Sequence, residues 1–191
     1  GVARIQRGDP KNRGVTYPYF GSAVARILGP TETGLPPYLW VKPGSGGFVY
    51  QDAGFLGPKY GALALGDGKA PEGLIRPATL SAEDDAIRND LRNLLDKRYA
   101  EKRSKEWTEA NSFVFDMAAK LQQHKAIFDS STVPPKDVER YGTHEFGRKM
   151  LIARRLLEAG VRFVKVNSYQ WDYHGDNFNG HGGAVPKVDQ S

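Results

Sequence analysis

Between Thr143 and Phe178 the hydrophobic period of the chain changes once, and that change limits the folds open to it. Phe146, Met150, Ala153 and Leu157 recur at alternating spacings of four and three, the buried stripe of an amphipathic helix. Thr143 stands where an N-cap belongs, and Gly160 follows where a left-handed residue closes a helix. Val161 to Asn167 then reads VRFVKVN, a β-branched run of strand length. A helix that hands its chain directly to such a strand belongs to an α/β fold, and open α/β sheets place their chemistry at the carboxyl ends of the strands. This strand leads to Asp172, His174, Asp176 and, slightly later, His181.

The rest of the chain supplies helices more readily than strands. Tyr19 to Leu28 reads as a short helix stopped by Gly29-Pro30, and Tyr38 to Val41 as a short buried strand after Pro36-Pro37. Residues 43–77 are rich in Gly and Pro and keep no steady period. They read as an ordered excursion anchored by Phe48, Tyr50, Phe55, Leu56 and Tyr60. Ser81 is placed to cap the next helix, with Glu83, Asp84 and Asp85 in its first turn and Ile87, Leu91, Leu94, Leu95 and Tyr99 at helical spacing. A further helix is expected from Lys105 to Phe128, burying Trp107, Phe113, Val114, Met117, Leu121 and Phe128, until Pro134-Pro135 ends it. The expected organisation is a single partial domain over residues 1–191. It divides into an arm (1–18), a Gly/Pro-rich segment with a short helix and strand (19–80), helices (81–160), a strand (161–167) and a polar loop and tail (168–191). Two strands leave a sheet edge and many ladder groups without partners, so either further strands come from a partner or from sequence outside this chain, the favoured expectation, or the domain is mainly helical.

Composition removes several function classes. With no cysteine, disulfides, thiolate catalysis and Cys-ligated zinc are excluded. No stretch reaches the ~18 apolar residues of a membrane helix. The net charge is +5, but the basic residues from Arg88 to Lys105 are interleaved with Asp90, Asp96 and Glu101. That is a solvated helix face rather than a nucleic-acid stripe, so no nucleic-acid partner is expected. The chain begins at Gly1 without Met or a leader, so targeting information is expected to lie outside it.

Asp172-x-His174 puts a carboxylate and an imidazole at alternate positions of an extended segment, pointing the same way toward one ion. Oxygen with neutral imidazole suits zinc, manganese or iron, and carboxylates alone lean to calcium or magnesium. The competing reading is a polar turn in which Asp and Asn side chains bond their own backbone. His181, inside Gly180-His181-Gly182-Gly183, reads as a solvent-facing histidine or an additional ligand. His144 reads as structural, His124 as exposed, and Trp171 as a pocket wall or a core residue. Gly44-Ser45-Gly46-Gly47 lacks the Gly-Lys-Ser/Thr of a phosphate loop and reads as a turn. No G-x-S-x-G elbow is present.

The run FGRKMLIARRLLEAGVRFVKV followed by WDYHGDNF resembles the family called domain of unknown function 1501, sulfatase-like members of the alkaline phosphatase superfamily. YPYFGSAVARILGP, LPPYLWV, GFLGPKYG and the helix ending AIFD are similar to that family's segments in the same order. The resemblance implies an alkaline-phosphatase-like three-layer α/β sandwich with a mostly parallel sheet, incomplete in this chain, with metal ligands on loops at the strand ends. It places Asp172 and His174 in the family's metal-ligand turn, with Tyr173 where Thr is usual. Asn167, Asp176, Asn177 and His181 are then candidates to orient the ligands or touch substrate. It further implies a divalent ion (zinc, calcium or manganese), a small-molecule or carbohydrate sulfate or phosphate ester as substrate, and a periplasmic or secreted location. The superfamily's nucleophile and remaining ligands are expected outside this chain, as are segments completing the sheet. The alternative is a non-catalytic secreted or surface binding protein that kept the fold.

Overall fold

The computed structural model describes residues 5, 7–8, 14–42, 47–66, 76–102, 105–168 and 171–191. Its centre is β1 (Tyr38–Lys42), in a four-stranded sheet with β2 (Gly47–Val49), β3 (Ala62–Gly66) and β4 (Phe163–Val166) in the order β2-β3-β1-β4. β1 pairs in parallel with β3, Leu39 opposite Leu63, and with β4, Trp40 opposite Lys165. β2 returns antiparallel along the outer edge of β3. Among the described residues lie the helices α1 (Phe20–Leu28), α2 (Ala82–Lys102), α3 (Lys105–Gln123), α4 (Pro135–Tyr141), α5 (Glu145–Glu158) and α6 (Asn177–Gln190). The architecture is mixed α/β, and among the described residues no helix is long and apolar enough to cross a membrane.

Strand alternation assigns the two faces of the sheet. Leu39 and Val41 point to one side, where with Leu65 they join Leu35, Leu121 of α3, Leu156 of α5 and Val161 in the larger core. Tyr38 and Ala62 point to the other side and meet Ala25 of α1, flanked by Trp40, Tyr60 and Phe163. Helices therefore cover both faces, as a parallel sheet requires. The Arg155 guanidinium ties α5 to the turns after α3, donating to the carbonyls of Ala126 at 2.7 Å and Asp129 at 2.9 Å.

The approach of α1 to the sheet depends on Gly21. A Cβ there would stand 2.5 Å from the Tyr38 ring, which is 2% exposed. The ring is also held at its far end, because its hydroxyl donates to Asp52 Oδ2 at 3.1 Å. Gly21→Ala should cost about 2 kcal/mol through overpacking despite the better helix propensity of alanine. A lowered urea midpoint with an unchanged m-value would show it.

Several elements differ from the sequence expectation. The partners of β1 come from this chain on both sides: β3 lies inside the Gly/Pro-rich excursion, so missing sequence is not needed to pair β1. Ala62-Leu63-Ala64-Leu65 alternates small with large side chains, both apolar, so a strand buried on both faces carries no polar/apolar period. The helix from Lys105 ends at Gln123, and Lys125–Phe128 forms a separate 3-10 turn. Trp107 is 47% exposed rather than buried, and on α5 the buried position is Leu156 while Leu157 faces out. His144, not Thr143, caps α5. The expected polar tail forms α6, a helix containing Gly180, Gly182, Gly183 and Pro186, residues that lower intrinsic propensity. Tertiary ties hold it: Gln190 Nε2 donates to the Glu139 carbonyl at 3.0 Å and Ser191 Oγ to that of Tyr141 at 3.1 Å. Phe55, expected as an anchor, is largely exposed. The turn at Gly44-Ser45-Gly46, most of the N-terminal arm, and the side chains of Phe48 and Tyr50 lie outside the described residues.

Candidate functional site

β4 ends at Val166, and the next residues enter the turn that carries the metal-capable side chains. The Nε2 of His174 stands 3.2 Å from Oδ2 of Asp172. That separation is the distance of a hydrogen bond or ion pair between an imidazole and a carboxylate. The pair is exposed, 87% for His174 and 89% for Asp172. Among the described residues no third His, Asp or Glu converges on it. Asp176 precedes α6 and accepts a hydrogen bond from Asn179 Nδ2 at 2.7 Å. Asn177 opens α6, and its carbonyl lies 2.9 Å from Nδ1 of His181. The His181 ring packs edge-on against Tyr173, with ring centres 5.0 Å apart. His181 is thus part of α6.

Asn167 joins the turn to the sheet. Its Oδ1 accepts a 2.6 Å hydrogen bond from Trp40 Nε1, which fixes the amide so that its NH2 end remains a donor. Asn167 also lines a cleft of about 840 Å³ with His144, Lys149, Ser168, Tyr173 and Lys187, between α5, the exit of β4 and α6. His144 Nδ1 accepts the Gly147 N–H at 3.0 Å, so in the neutral ring the proton sits on Nε2. That Nε2 is buried without a protein partner. The Lys149 side chain is 3% exposed and pairs with the exposed Glu145 one turn earlier.

Sequence reading missed the polar cluster on the α1 side of the sheet. Trp40 and Lys165 are register partners, and Lys165 Nζ lies 3.6 Å from the centre of the Trp40 ring. The same ammonium is 3.9 Å from Asp52 Oδ2, and Asp52 is 3% exposed. Burial pushes the Asp52 carboxyl above its ordinary value, with Lys165 and the Tyr38 hydroxyl holding it back. Burial pushes the Lys165 ammonium down, with Asp52 opposing. The Tyr38 hydroxyl is raised far above its ordinary value by burial and then by the Asp52 charge. The available signal was alternation: in β4 the residue facing the same way as Phe163 and Asn167 is a lysine.

No curated protein and no solved structure matches the chain. The family model described as Protein of unknown function (DUF1501) matches residues 5–191, and the chain therefore belongs to that family.

Proposed function

We propose that this chain carries part of the site of a metal-dependent hydrolase of sulfate or phosphate esters, of the sulfatase and phosphatase kind, in an alkaline-phosphatase-like sandwich. The observation that carries the reading is the Asp172–His174 pair, 3.2 Å apart just beyond a parallel strand. These two side chains would hold a divalent ion, zinc, manganese or calcium, with further ligands from outside the described residues. When bound, the ion would supply Lewis-acid stabilisation of charge on the transferred group's oxygens. Asn167, held by Trp40, offers its amide donor to an anionic substrate oxygen, and Tyr173 walls the cleft beside it. Asp176 and His181, each engaged within α6, fix the turn that presents the pair. Among the described residues β4 ends the strand order, and a larger, mostly parallel sheet would continue beyond it. A periplasmic or secreted location accompanies this reading.

The exposure of both donors favours a second reading, a binding protein that kept the fold without a dry catalytic cavity. Metal analysis after equilibration with zinc, manganese or calcium, alongside ester hydrolysis by the full-length protein, separates the two. Asp172→Ala and His174→Ala should each weaken metal binding by at least about tenfold and abolish hydrolysis. Metal content unchanged in both variants would sink the proposal; metal binding without hydrolysis would favour the second reading.

A further inference from the structure

Helix α2 packs the wrong face inward for a helix of a finished surface. Its half-buried positions are Asp85, Asn89, Arg92, Asp96 and Ala100, four of them polar. Those residues meet α3: Ser112 Oγ donates to Asp96 Oδ2 at 3.2 Å, and the Arg92 guanidinium lies 4.1 Å from the centre of the Phe115 ring. The apolar stripe turns outward, leaving Ile87 60%, Leu91 55%, Leu94 48% and Leu95 54% exposed. Four contiguous large aliphatic side chains on one helix face differ from the scattered apolar residues of ordinary surfaces and mark a docking surface.

The charges along the stripe choose the occupant. When the helix is turned end for end about an axis through Leu91, Ile87 falls opposite Leu95 and Leu91 opposite itself. Arg88 falls opposite Leu94, so that its aliphatic stem can cover the leucine. Asp84 falls opposite Arg98, once on each side of the axis. All of these residues are exposed and lie on the apolar side of the helix. Asp84 accepts a hydrogen bond from Ser81 Oγ, which holds the carboxylate at the head of the stripe. The stripe is thus complementary to itself in hydrophobicity and in charge, the requirement for an isologous two-fold interface.

We propose that the outward stripe of α2 is a homotypic docking face, on which a second copy of this chain lies antiparallel about a two-fold axis at Leu91. Ile87, Leu91 and Leu95 form its dry centre, and Asp84 with Arg98 of the partner subunit closes each end.

Sedimentation equilibrium of the full-length protein, up to about 100 μM, should show a species of twice the monomer mass. Leu91→Glu sets two carboxylates face to face on the axis and should give monomer with unchanged helical circular dichroism. Asp84→Lys and Arg98→Glu each set like charges against each other at both ends, so each alone should dissociate at least about tenfold more readily. An equimolar mixture of those two variants restores opposite charges at both ends and should recover the dimer as a heterodimer. That recovery does not follow from a purely structural role for either residue. A monomeric wild-type chain at the highest concentration overturns the proposal and leaves the stripe to another occupant. A Leu91→Glu variant that still dimerises, or a mixture that stays monomeric, overturns it as well.

Discussion

Lys165→Met should lower the unfolding free energy by about 3 kcal/mol at neutral pH, because it strands a buried carboxylate. Asp52 is 3% exposed, and among the described residues the cation paired with it is the Lys165 ammonium at 3.9 Å, with Arg7 and Lys42 adding weaker attraction. The pair is a compromise: burial pushes the Asp52 carboxyl up and the Lys165 ammonium down, and their attraction opposes both shifts. Methionine keeps the stem that crosses the Trp40 ring and removes only the charge. Asp52 must then ionise without its paired counter-charge, so its folded-state pKa rises further. A carboxyl raised in the folded state gives stability that is fully present below its unfolded value, about 4, and lost as pH rises through its folded value. The deficit of the variant should therefore be small at about pH 4 and grow toward pH 7. Urea titrations across that range measure it, and Asp52→Asn combined with Lys165→Met should recover most of the loss. A deficit of equal size at every pH would mean that Asp52 is not what Lys165 compensates.

How far the fold could be read from residues alone depended on whether each element carried its own signal. α5 and β4 were legible because a helical stripe, a Gly160 stop with φ +103° and a β-branched run follow one another in order. β1 was legible from its aromatic and β-branched residues between proline and glycine. β3 was not, since alanine and leucine favour helix and both of its faces are buried, so only the pairing Leu39 to Leu63 makes it a strand. α6 was hidden by three glycines and a proline whose propensity cost is offset by the hydrogen bonds of Gln190 and Ser191 to the end of α4. In the candidate site, the Asp172–His174 approach follows from their alternate positions, which local spacing encodes. The Asp52–Lys165–Tyr38 cluster unites residues from three distant segments. No local pattern joins them, and only the register of β1 against β4 sets Lys165 beside Trp40.

The same limit makes Gly147 a position where sequence and structure predict opposite signs. Gly147 lies in the first turn of α5, and by propensity alone alanine would stabilise that turn by about 1 kcal/mol. A Cβ there would stand 1.9 Å from the Tyr141 carbonyl oxygen and 2.7 Å from that of Gly142. Both are backbone atoms, so no rotamer change relieves the clash. The chain between α4 and α5 would have to move, although Gly142 already holds φ +78°. The Gly147 N–H is also the donor that fixes the His144 ring, so displacement of the turn would release the cap. Gly147→Ala should therefore destabilise the protein by about 3 kcal/mol, beyond the propensity gain. Gly175→Ala is the control, since nothing lies within 4 Å of a Cβ there, and its effect should stay within about 0.5 kcal/mol. Urea unfolding of the two variants decides between propensity and packing. If Gly147→Ala were neutral or stabilising, the close approach of α4 to α5 would be dispensable, and the His144 side of the cleft would be free to shift without cost.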